Sequence, residues 1–121
     1  MVRARDIMTK EVVSTKCSCK VEEVTRVLYF HGISGLPVLD DEMQVIGMVT
    51  EADILGRKAG QDRVEDIMSS PVCTVSEGMS LEEIARVLSE REIKRAPVVR
   101  EGKLVGIVSR ADVVKALASR R

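Results

Sequence analysis

Residues 47–53 read GMVTEAD, and residues 106–112 read GIVSRAD. Each stretch places a glycine before two apolar residues, then a hydroxyl residue, and an aspartate three positions after that hydroxyl. A serine or threonine followed three residues later by an acid is typical of a helix start, where both side chains satisfy backbone N–H groups. The two stretches therefore predict, twice in one chain, a strand that ends where a helix begins.

The repetition extends outward from these stretches over most of the chain, which indicates an internal duplication. At an offset of sixty, the DIM at 6–8 matches the DIM at 66–68, and the PV at 37–38 matches the PV at 97–98. One extra residue within 40–44 then changes the offset to fifty-nine, at which the two opening stretches align. A polar turn between strands is where a single insertion is tolerated. The chain thus consists of two copies of one sequence unit.

The apolar spacing within each copy predicts the order β-α-β-β-α. Val21 and Leu81 begin apolar patterns with steps of three and four, which are typical of amphipathic helices. Gly32 is suited to end the first of these helices, and Ser80 with Glu83 to begin the second. The remaining elements are short strands at 12–13 and 72–73, hairpins over 36–49 and 96–108, and a second helix from about Ala52 and Ala111. We predict repeat 1 at 1–56, a linker at 57–63 and repeat 2 at 64–121.

The amino-acid composition limits the classes of function that this chain could have. A chain of 121 residues with 45% apolar and 31% charged residues fits one folded domain. Nineteen basic residues balance nineteen acidic ones, which argues against a nucleic-acid or anionic-membrane surface. No apolar run is long enough to span a membrane, no secretory signal is present, and the three cysteines are expected to be reduced. We therefore expect a cytoplasmic protein without a membrane partner.

Three elements, in order and in both copies, resemble a tandem pair of CBS domains, the Bateman module. They are the opening DIM, the central segments ISGLP at 33–37 and IKRAP at 93–97, and the closing motifs at 47–53 and 106–112. The resemblance implies an α/β fold of two β-α-β-β-α repeats packed about a pseudo-two-fold axis. It also implies a homodimer, a regulated protein partner, and adenosine-containing ligands in two clefts between the repeats.

The candidate ligands are AMP, ADP, ATP and S-adenosylmethionine, and no cofactor is required. By resemblance, each cleft joins the early and central segments of one repeat to the closing motif of the other. An aspartate in such a site can accept both ribose hydroxyls, while a hydroxyl at a helix start and cationic side chains suit phosphate. One predicted cleft holds Val13, Ile33, Ser34 and Gly35 with Ser109 and Asp112; the other holds Cys73, Ile93, Lys94 and Arg95 with Thr50 and Asp53.

Each signal also has a purely structural interpretation. The pairs Thr50–Asp53 and Ser109–Asp112 could serve only as helix caps, and Lys94 and Arg95 could be a solvated surface pair. Because Ser34 and Gly35 are uncharged, the Lys94/Arg95 cleft is predicted to be the better anion site, with Arg110 near the other cleft. Cysteines at 17, 19 and 73 lack the four ligands at recognised spacings of a zinc site, so no metal is expected.

The sequence thus predicts a regulatory ligand-binding module and not an enzyme. One histidine, without a P-loop, nucleophile elbow or metal-ligand cluster, gives no reaction that named residues could perform. Similar repeats occur inside IMP dehydrogenase, but the catalytic barrel of that enzyme needs about 250 residues. Two alternatives stay open: a structural or dimerisation module without a physiological ligand, and a regulator associated with nucleic acid.

Overall fold

A computed structural model describes residues 1–120, which form two compact units. One unit is Val13–Val72, called here the Thr50 unit; the other joins Met1–Val12 to the chain from Cys73 onward and is called the Ser109 unit. The units do not coincide with the sequence repeats, because the opening segment of each repeat folds with the body of the other. The repeat boundaries predicted from sequence therefore describe the duplication, and the compact units cross them.

The secondary structure repeats along the chain as the sequence does. None of the helices within residues 1–120 has the length and apolar composition that crossing a bilayer requires. In chain order the elements are α1 (Ala4–Ile7), β1 (Thr15–Lys16), α2 (Val21–His31), β2 (Gly35–Leu39), β3 (Val45–Thr50), α3 (Glu51–Leu55), α4 (Val64–Ile67), β4 (Val75–Ser76), α5 (Leu81–Glu90), β5 (Arg95–Arg100), β6 (Lys103–Ser109) and α6 (Arg110–Ala118).

Two three-stranded sheets, with orders β1-β2-β3 and β4-β5-β6, confirm the predicted mixed α/β class. In each sheet the short strand runs parallel to its neighbour, and the other two strands form an antiparallel hairpin. The strands predicted at 12–13 and 72–73 are wrong, because the pairing begins later, at Thr15 opposite Val38 and at Val75 opposite Val98. Val13 is apolar because it packs against the core, which requires no strand pairing.

The long helices form where the apolar spacing predicts them. Val21, Val24 and Leu28 turn one side of α2 into the core, and Leu81, Ile84 and Leu88 do the same for α5. Burying such a side chain contributes about 1.5–3 kcal/mol. At the end of α2, Gly32 adopts a left-handed conformation with φ of 63°, as the helix-stop prediction requires.

In the Ser109 unit, the opening DIM segment packs against the glycine of the closing motif. A Cβ placed on Gly106 would lie 2.5 Å from Met8 Sδ and 3.0 Å from the carbonyl oxygen of Thr9. Two backbone hydrogen bonds between Thr9 and Ile107, of 2.8 and 3.0 Å, hold the segments at this distance. Gly106 therefore has to be a glycine, because any side chain at this position would collide with Met8 of the other repeat.

The Thr50 unit contains the same arrangement with looser contacts. A Cβ on Gly47 would lie 2.7 Å from Met68 Sδ and 3.2 Å from the carbonyl oxygen of Ser69. Backbone bonds of 3.1 and 2.9 Å join Met48 and Ser69. The DIM motif and the motif glycine thus form one contact, which explains why both occur in each copy.

Candidate functional site

In the Thr50 unit, the β2–β3 hairpin brings the central segment against the closing motif. Gly35, the first residue of β2, is paired with Thr50, the last residue of β3. The backbone N–H of Glu51 donates to the carbonyl of Ser34 over 2.9 Å. Ser34 is half-buried and Gly35 is buried, while Glu51 is exposed. The helix start at Thr50 therefore has a neutral central segment beside it.

The Ser109 unit has the same geometry with different side chains. Arg95 is paired with Ser109, and the backbone N–H of Arg110 donates to the carbonyl of Lys94 over 2.9 Å. The Arg110 side chain also turns toward this segment, since its Nε donates to the carbonyl of Ile93 over 2.9 Å. Three basic residues are thus adjacent to the helix start at Ser109.

These pairings lie within each repeat, and the predicted grouping of the site residues in clefts between the repeats stays a prediction. Lys94 and Arg95 were predicted to lie with Thr50 and Asp53, and Ser34 and Gly35 with Ser109 and Asp112. Within each unit, the central segment also lies beside the closing motif of its own repeat. The physical reason is the antiparallel hairpin, in which the first residue of one strand is opposite the last residue of the next.

Arg110 bonds to the central segment of its own repeat. Its backbone and side chain both bond to the segment containing Lys94, and its place near the predicted cleft of Ser34 and Gly35 stays a prediction. Arg110 directly follows Ser109, at the position where the other repeat has Glu51.

Both aspartates complete helix caps. In the Ser109 unit, the backbone N–H of Ser109 donates to Asp112 Oδ2 over 2.8 Å, and the N–H of Asp112 donates to Ser109 Oγ over 3.2 Å. In the Thr50 unit, the corresponding bonds measure 2.8 and 3.4 Å, and the Thr50 hydroxyl also donates to Asp53 Oδ2 over 3.1 Å. Both pairs therefore act as helix caps.

Capping leaves these side chains with further bonding capacity. An ionised carboxylate has two oxygens with about four lone-pair sites, and the caps of Asp53 and Asp112 bond to Oδ2. Both aspartates are half-buried, so each is fixed in position and still reaches the surface. A capped aspartate of this kind can accept hydroxyl hydrogen bonds from a bound molecule without a conformational change.

The electrostatics of the two helix starts differ. The backbone of Lys94 and Arg95 lies beside the start of α6. Helix α6 has nine residues and begins with Arg110, whereas α3 has five residues and begins with the acidic Glu51. A helix N-terminus presents unpaired N–H groups and a partial positive charge. In the Ser109 unit the cations add to that field, and in the Thr50 unit Glu51 opposes it.

The other predicted site residues supply apolar surface. Val13 and Ile33 pack against the core of the Thr50 unit, and Ile93 packs against the core of the Ser109 unit. Cys73 is half-buried and forms no disulfide. Among residues 1–120, the structure brings together no group of histidine, cysteine and acidic side chains that could hold a metal ion.

Comparison with known proteins finds the family model described as CBS domain twice, over residues 4–60 and 64–119. Hypoxic response protein 1 of Mycobacterium tuberculosis is 32% identical over 97% of this chain and 86% of its own length. The uncharacterized protein MJ1225 of Methanocaldococcus jannaschii is 30% identical over 95% of this chain. Inosine-5'-monophosphate dehydrogenase of Korarchaeum cryptofilum is 34% identical over 92% of it. The chain spans only 42% of MJ1225 and 23% of that dehydrogenase.

Solved structures resemble the chain over nearly its whole length. CBSX2 in complex with AMP superposes with a TM-score of 0.91 at 31% identity, covering 98% of this chain and 97% of that one. The CBS domain pair of MJ0100, in complex with 5'-methylthioadenosine and S-adenosyl-L-methionine, gives 0.89 at 26%, with coverages of 100% and 99%. The cytosolic domain of the Mg²⁺ channel MgtE, in complex with ATP, gives 0.85 at 32%, with coverages of 94% and 48%.

Proposed function

Because the chain belongs to the CBS domain family, as a tandem pair of repeats, we propose that it is a regulatory module that binds adenine nucleotides or related adenosyl ligands. The similar structures contain AMP, ATP, 5'-methylthioadenosine and S-adenosyl-L-methionine, and these ligands share an adenosine group. The observation that carries the proposal is the cluster of Lys94, Arg95 and Arg110 beside the Ser109–Asp112 cap.

In the Ser109 unit the proposed ligand is phosphorylated. The Asp112 carboxylate accepts hydrogen bonds from the ribose hydroxyls, and the α6 N-terminus with Ser109 donates to phosphate. Lys94 and Arg95 add charged donors, which form the stronger class of hydrogen bond to an anionic oxygen. Ile93 and Cys73 contribute apolar surface for the purine.

The Thr50 unit is proposed to take an adenosyl group that carries less negative charge. Thr50 and Asp53 repeat the cap, but Ser34 and Gly35 replace the two cations, and Glu51 replaces Arg110. A phosphate there would meet an acidic side chain rather than a basic one. Val13 and Ile33 supply its apolar neighbours.

The proposal also includes a homodimer, a protein whose activity the module regulates, and a cytoplasmic location. We assign no catalysis to the module. The competing candidate is an assembly module without a ligand, which a measurement of ligand binding distinguishes from the proposal.

A thermal-shift panel of AMP, ADP, ATP and S-adenosylmethionine tests ligand binding. A ligand at 100 times its dissociation constant adds about 2.7 kcal/mol to stability, which raises the Tm of a domain of this size by roughly 5 °C or more. Calorimetric titration with AMP then compares two variants. Asp112→Ala is expected to lower the affinity for AMP roughly ten- to a hundred-fold, since hydrogen bonds to a charged group contribute about 1.5–3 kcal/mol.

Asp53→Ala is the matched control, because it removes the same cap from the other unit and should leave AMP binding at the Ser109 unit nearly unchanged. If no ligand at millimolar concentration shifts the transition, the assembly module becomes the better description. If Asp53→Ala abolishes AMP binding and Asp112→Ala does not, the two units have been assigned in the wrong order.

A further inference from the structure

Two of the three cysteines lie in one tight turn of the Thr50 unit. Cys17 and Cys19 flank Ser18 directly after β1. The backbone N–H of Cys19 donates to the carbonyl of Lys16 over 3.1 Å, which closes the turn. Both cysteines are half-buried free thiols, and both pack against the core of this unit. The turn therefore directs two thiols toward the same core.

The turn meets the distance requirement for a disulfide. A disulfide joins residues whose Cα atoms are about 4.4–6.8 Å apart and whose Cβ atoms do not point away from each other. Residues two apart are separated by at most about 7 Å in an extended chain, and a turn shortens that distance. Cys17 and Cys19 can therefore be bridged by a local adjustment of the turn.

One of the two sulfurs is accessible from a groove of about 320 Å³ in the Thr50 unit. Of the three cysteines, all within the described residues 1–120, Cys19 is the one in the lining of this groove, together with Lys16 and Glu23. The Lys16 ammonium, paired with Asp41 at 2.9 Å, is close enough to Cys19 for their charges to interact. A cation stabilises the negative charge that a sulfur carries when it attacks an oxidant. Cys19 is therefore the sulfur that a small oxidant meets first.

The same turn holds the start of α4 through its carbonyl groups. The carbonyl of Cys17 accepts a hydrogen bond from the backbone N–H of Glu65 over 3.0 Å. The carbonyl of Ser18 accepts one from Arg63 Nη1 over 2.6 Å. A disulfide between Cys17 and Cys19 encloses both of these peptide groups in a small ring, and closing the ring reorients the two acceptors.

We propose that Cys17 and Cys19 are a reversible oxidation site for hydrogen peroxide, and that their disulfide breaks the hydrogen bonds to the start of α4. The Cys19 thiolate attacks a peroxide oxygen, the O–O bond breaks, and the departing hydroxide takes up the thiol proton as water. Cys17 then attacks the sulfur of the resulting sulfenic acid, so that the S–S bond forms, the S–O bond breaks and a second water leaves. The two thiols lose two electrons, which reduce the peroxide.

Oxidation at this turn acts on the closing motif of the same unit. Helix α4 continues into Met68, whose sulfur lies 2.7 Å from the position of a Cβ on Gly47. The next residue, Ser69, shares two backbone hydrogen bonds with Met48. Loosening α4 therefore loosens the segment that packs against the motif of the Asp53 cap. In a reducing compartment such a disulfide is transient, as is typical of redox sensing, and its formation does not depend on an adenosyl ligand.

The Ser109 unit has the same backbone arrangement without thiols, and it serves as an internal control. At an offset of sixty, Glu77, Gly78 and Met79 take the places of the two cysteines and the serine between them. The carbonyl of Glu77 accepts from the backbone N–H of Arg5 over 2.9 Å. The amide of Arg5 therefore corresponds to that of Glu65, beside a turn that cannot form a disulfide.

Titration of the wild-type chain with hydrogen peroxide tests the proposal. Alkylatable thiols, counted by mass spectrometry, should decrease from three to one, with Cys73 the thiol that remains, and a dithiol reductant should restore all three. Hydrogen exchange measured by NMR should be roughly ten-fold faster at the amide of Glu65 in the oxidised chain, because one hydrogen bond is lost. Exchange at the amide of Arg5 should not change.

Serine variants separate the roles of the two sulfurs. In Cys17→Ser the oxidation should stop at the sulfenic acid of Cys19, which dimedone traps. In Cys19→Ser the Cys17 thiol should stay reduced at the peroxide concentration that oxidises the wild type. Cys73→Ser is the matched control, because it removes another half-buried thiol, and it should form the disulfide as the wild type does.

Three outcomes would overturn the proposal. The first is a wild type that keeps three alkylatable thiols after peroxide treatment, and the second is a Cys73 that reacts before the other two. The third is a Cys17–Cys19 disulfide that leaves exchange at the Glu65 amide unchanged, since the turn would then hold α4 in both redox states. The first and third are measured on the wild-type chain and do not depend on the folding of a variant.

Discussion

The Thr50 unit and the Ser109 unit have the same strand order, hairpin register and helix cap, yet the chemistry beside the cap is opposite in sign. Lys94, Arg95 and Arg110 in one unit correspond to Ser34, Gly35 and Glu51 in the other. The shared features are backbone hydrogen bonds and buried contacts, on which folding depends. The differing residues lie next to the cap without forming it, so they could diverge toward different ligands at little cost to the fold.

The last residues of the long helices α2 and α5 also differ in polarity. α2 of the Thr50 unit ends in Tyr29 and Phe30, and α5 of the Ser109 unit ends in Ser89 and Glu90. The unit with the cationic cap thus has a polar outer helix, while the unit with the neutral cap has an apolar one.

The largest expected effect comes from giving the Ser109 unit the neutral chemistry of the Thr50 unit. Lys94→Ser with Arg95→Gly removes two charged donors, each contributing about 1.5–3 kcal/mol to a hydrogen bond with an anion. AMP affinity should decrease roughly a hundred-fold or more, whereas adenosine affinity should change much less. Isothermal titration with both ligands measures the difference.

Ser34→Lys provides the control in the opposite direction, since it adds a cation to the Thr50 unit. It should leave AMP binding at the Ser109 unit unchanged. An equal loss of AMP and adenosine in the double variant would mean that Lys94 and Arg95 support the structure and do not bind phosphate.

A smaller effect is expected on stability, where alanine substitutions at Gly106 and at Gly47 should differ in their cost. Gly106→Ala forces a methyl group against Met8 and the carbonyl of Thr9, and overpacking of this kind costs about 1–3 kcal/mol. Gly47→Ala should cost less, because the corresponding distances in the Thr50 unit are longer. Urea unfolding of both variants measures the difference in the free energy of unfolding.

A double-mutant cycle with Met8→Ala identifies the cause. If the Met8 side chain opposes the new methyl group, Met8→Ala should be less destabilising in the Gly106→Ala background than in the wild type. Equal costs for the two glycine variants would show that the longer contacts in the Thr50 unit make no difference to stability.

The smallest expected effect concerns an exposed ion pair whose polarity is reversed between the units. Arg100 donates two hydrogen bonds to Glu77, of 2.8 and 2.9 Å, and thereby lowers the pKa of that carboxyl. In the Thr50 unit, Lys16 pairs with Asp41 at 2.9 Å, and the hydrogen bond raises the pKa of the lysine. Each pair links the end of the short strand to the turn region of its hairpin.

The two pairs should respond to pH in opposite directions. The contribution of Glu77 is complete above its ordinary pKa and is lost as the pH falls through the lowered value; that of Lys16 is complete below its ordinary pKa and is lost as the pH rises through the raised one. Arg100→Gln should return the pKa of Glu77 toward its usual range, as measured by an NMR titration. An unchanged pKa would show that the pair does not persist in solution.

Sequence analysis predicted the fold class and the local signals correctly because both depend on neighbours in the chain. The helix stop at Gly32 and the caps at Thr50 and Ser109 involve residues within a few positions of one another. The strands predicted at 12–13 and 72–73 failed for the opposite reason, since a two-residue strand is defined by its partner. Thr15 is a strand residue only because Val38 lies opposite it.

The sequence by itself determined that the chain is a duplicated α/β unit with two capped helix starts, because periodicity and capping are local properties that repeat at a fixed offset. Only the tertiary structure decided which distant segments lie beside each other within each unit. Lys94 joined Ser109, and Met8 reached Gly106 across the repeat boundary, because hairpin register and close packing act between segments far apart in the chain. The spacing of residues along the chain does not give these distances in space.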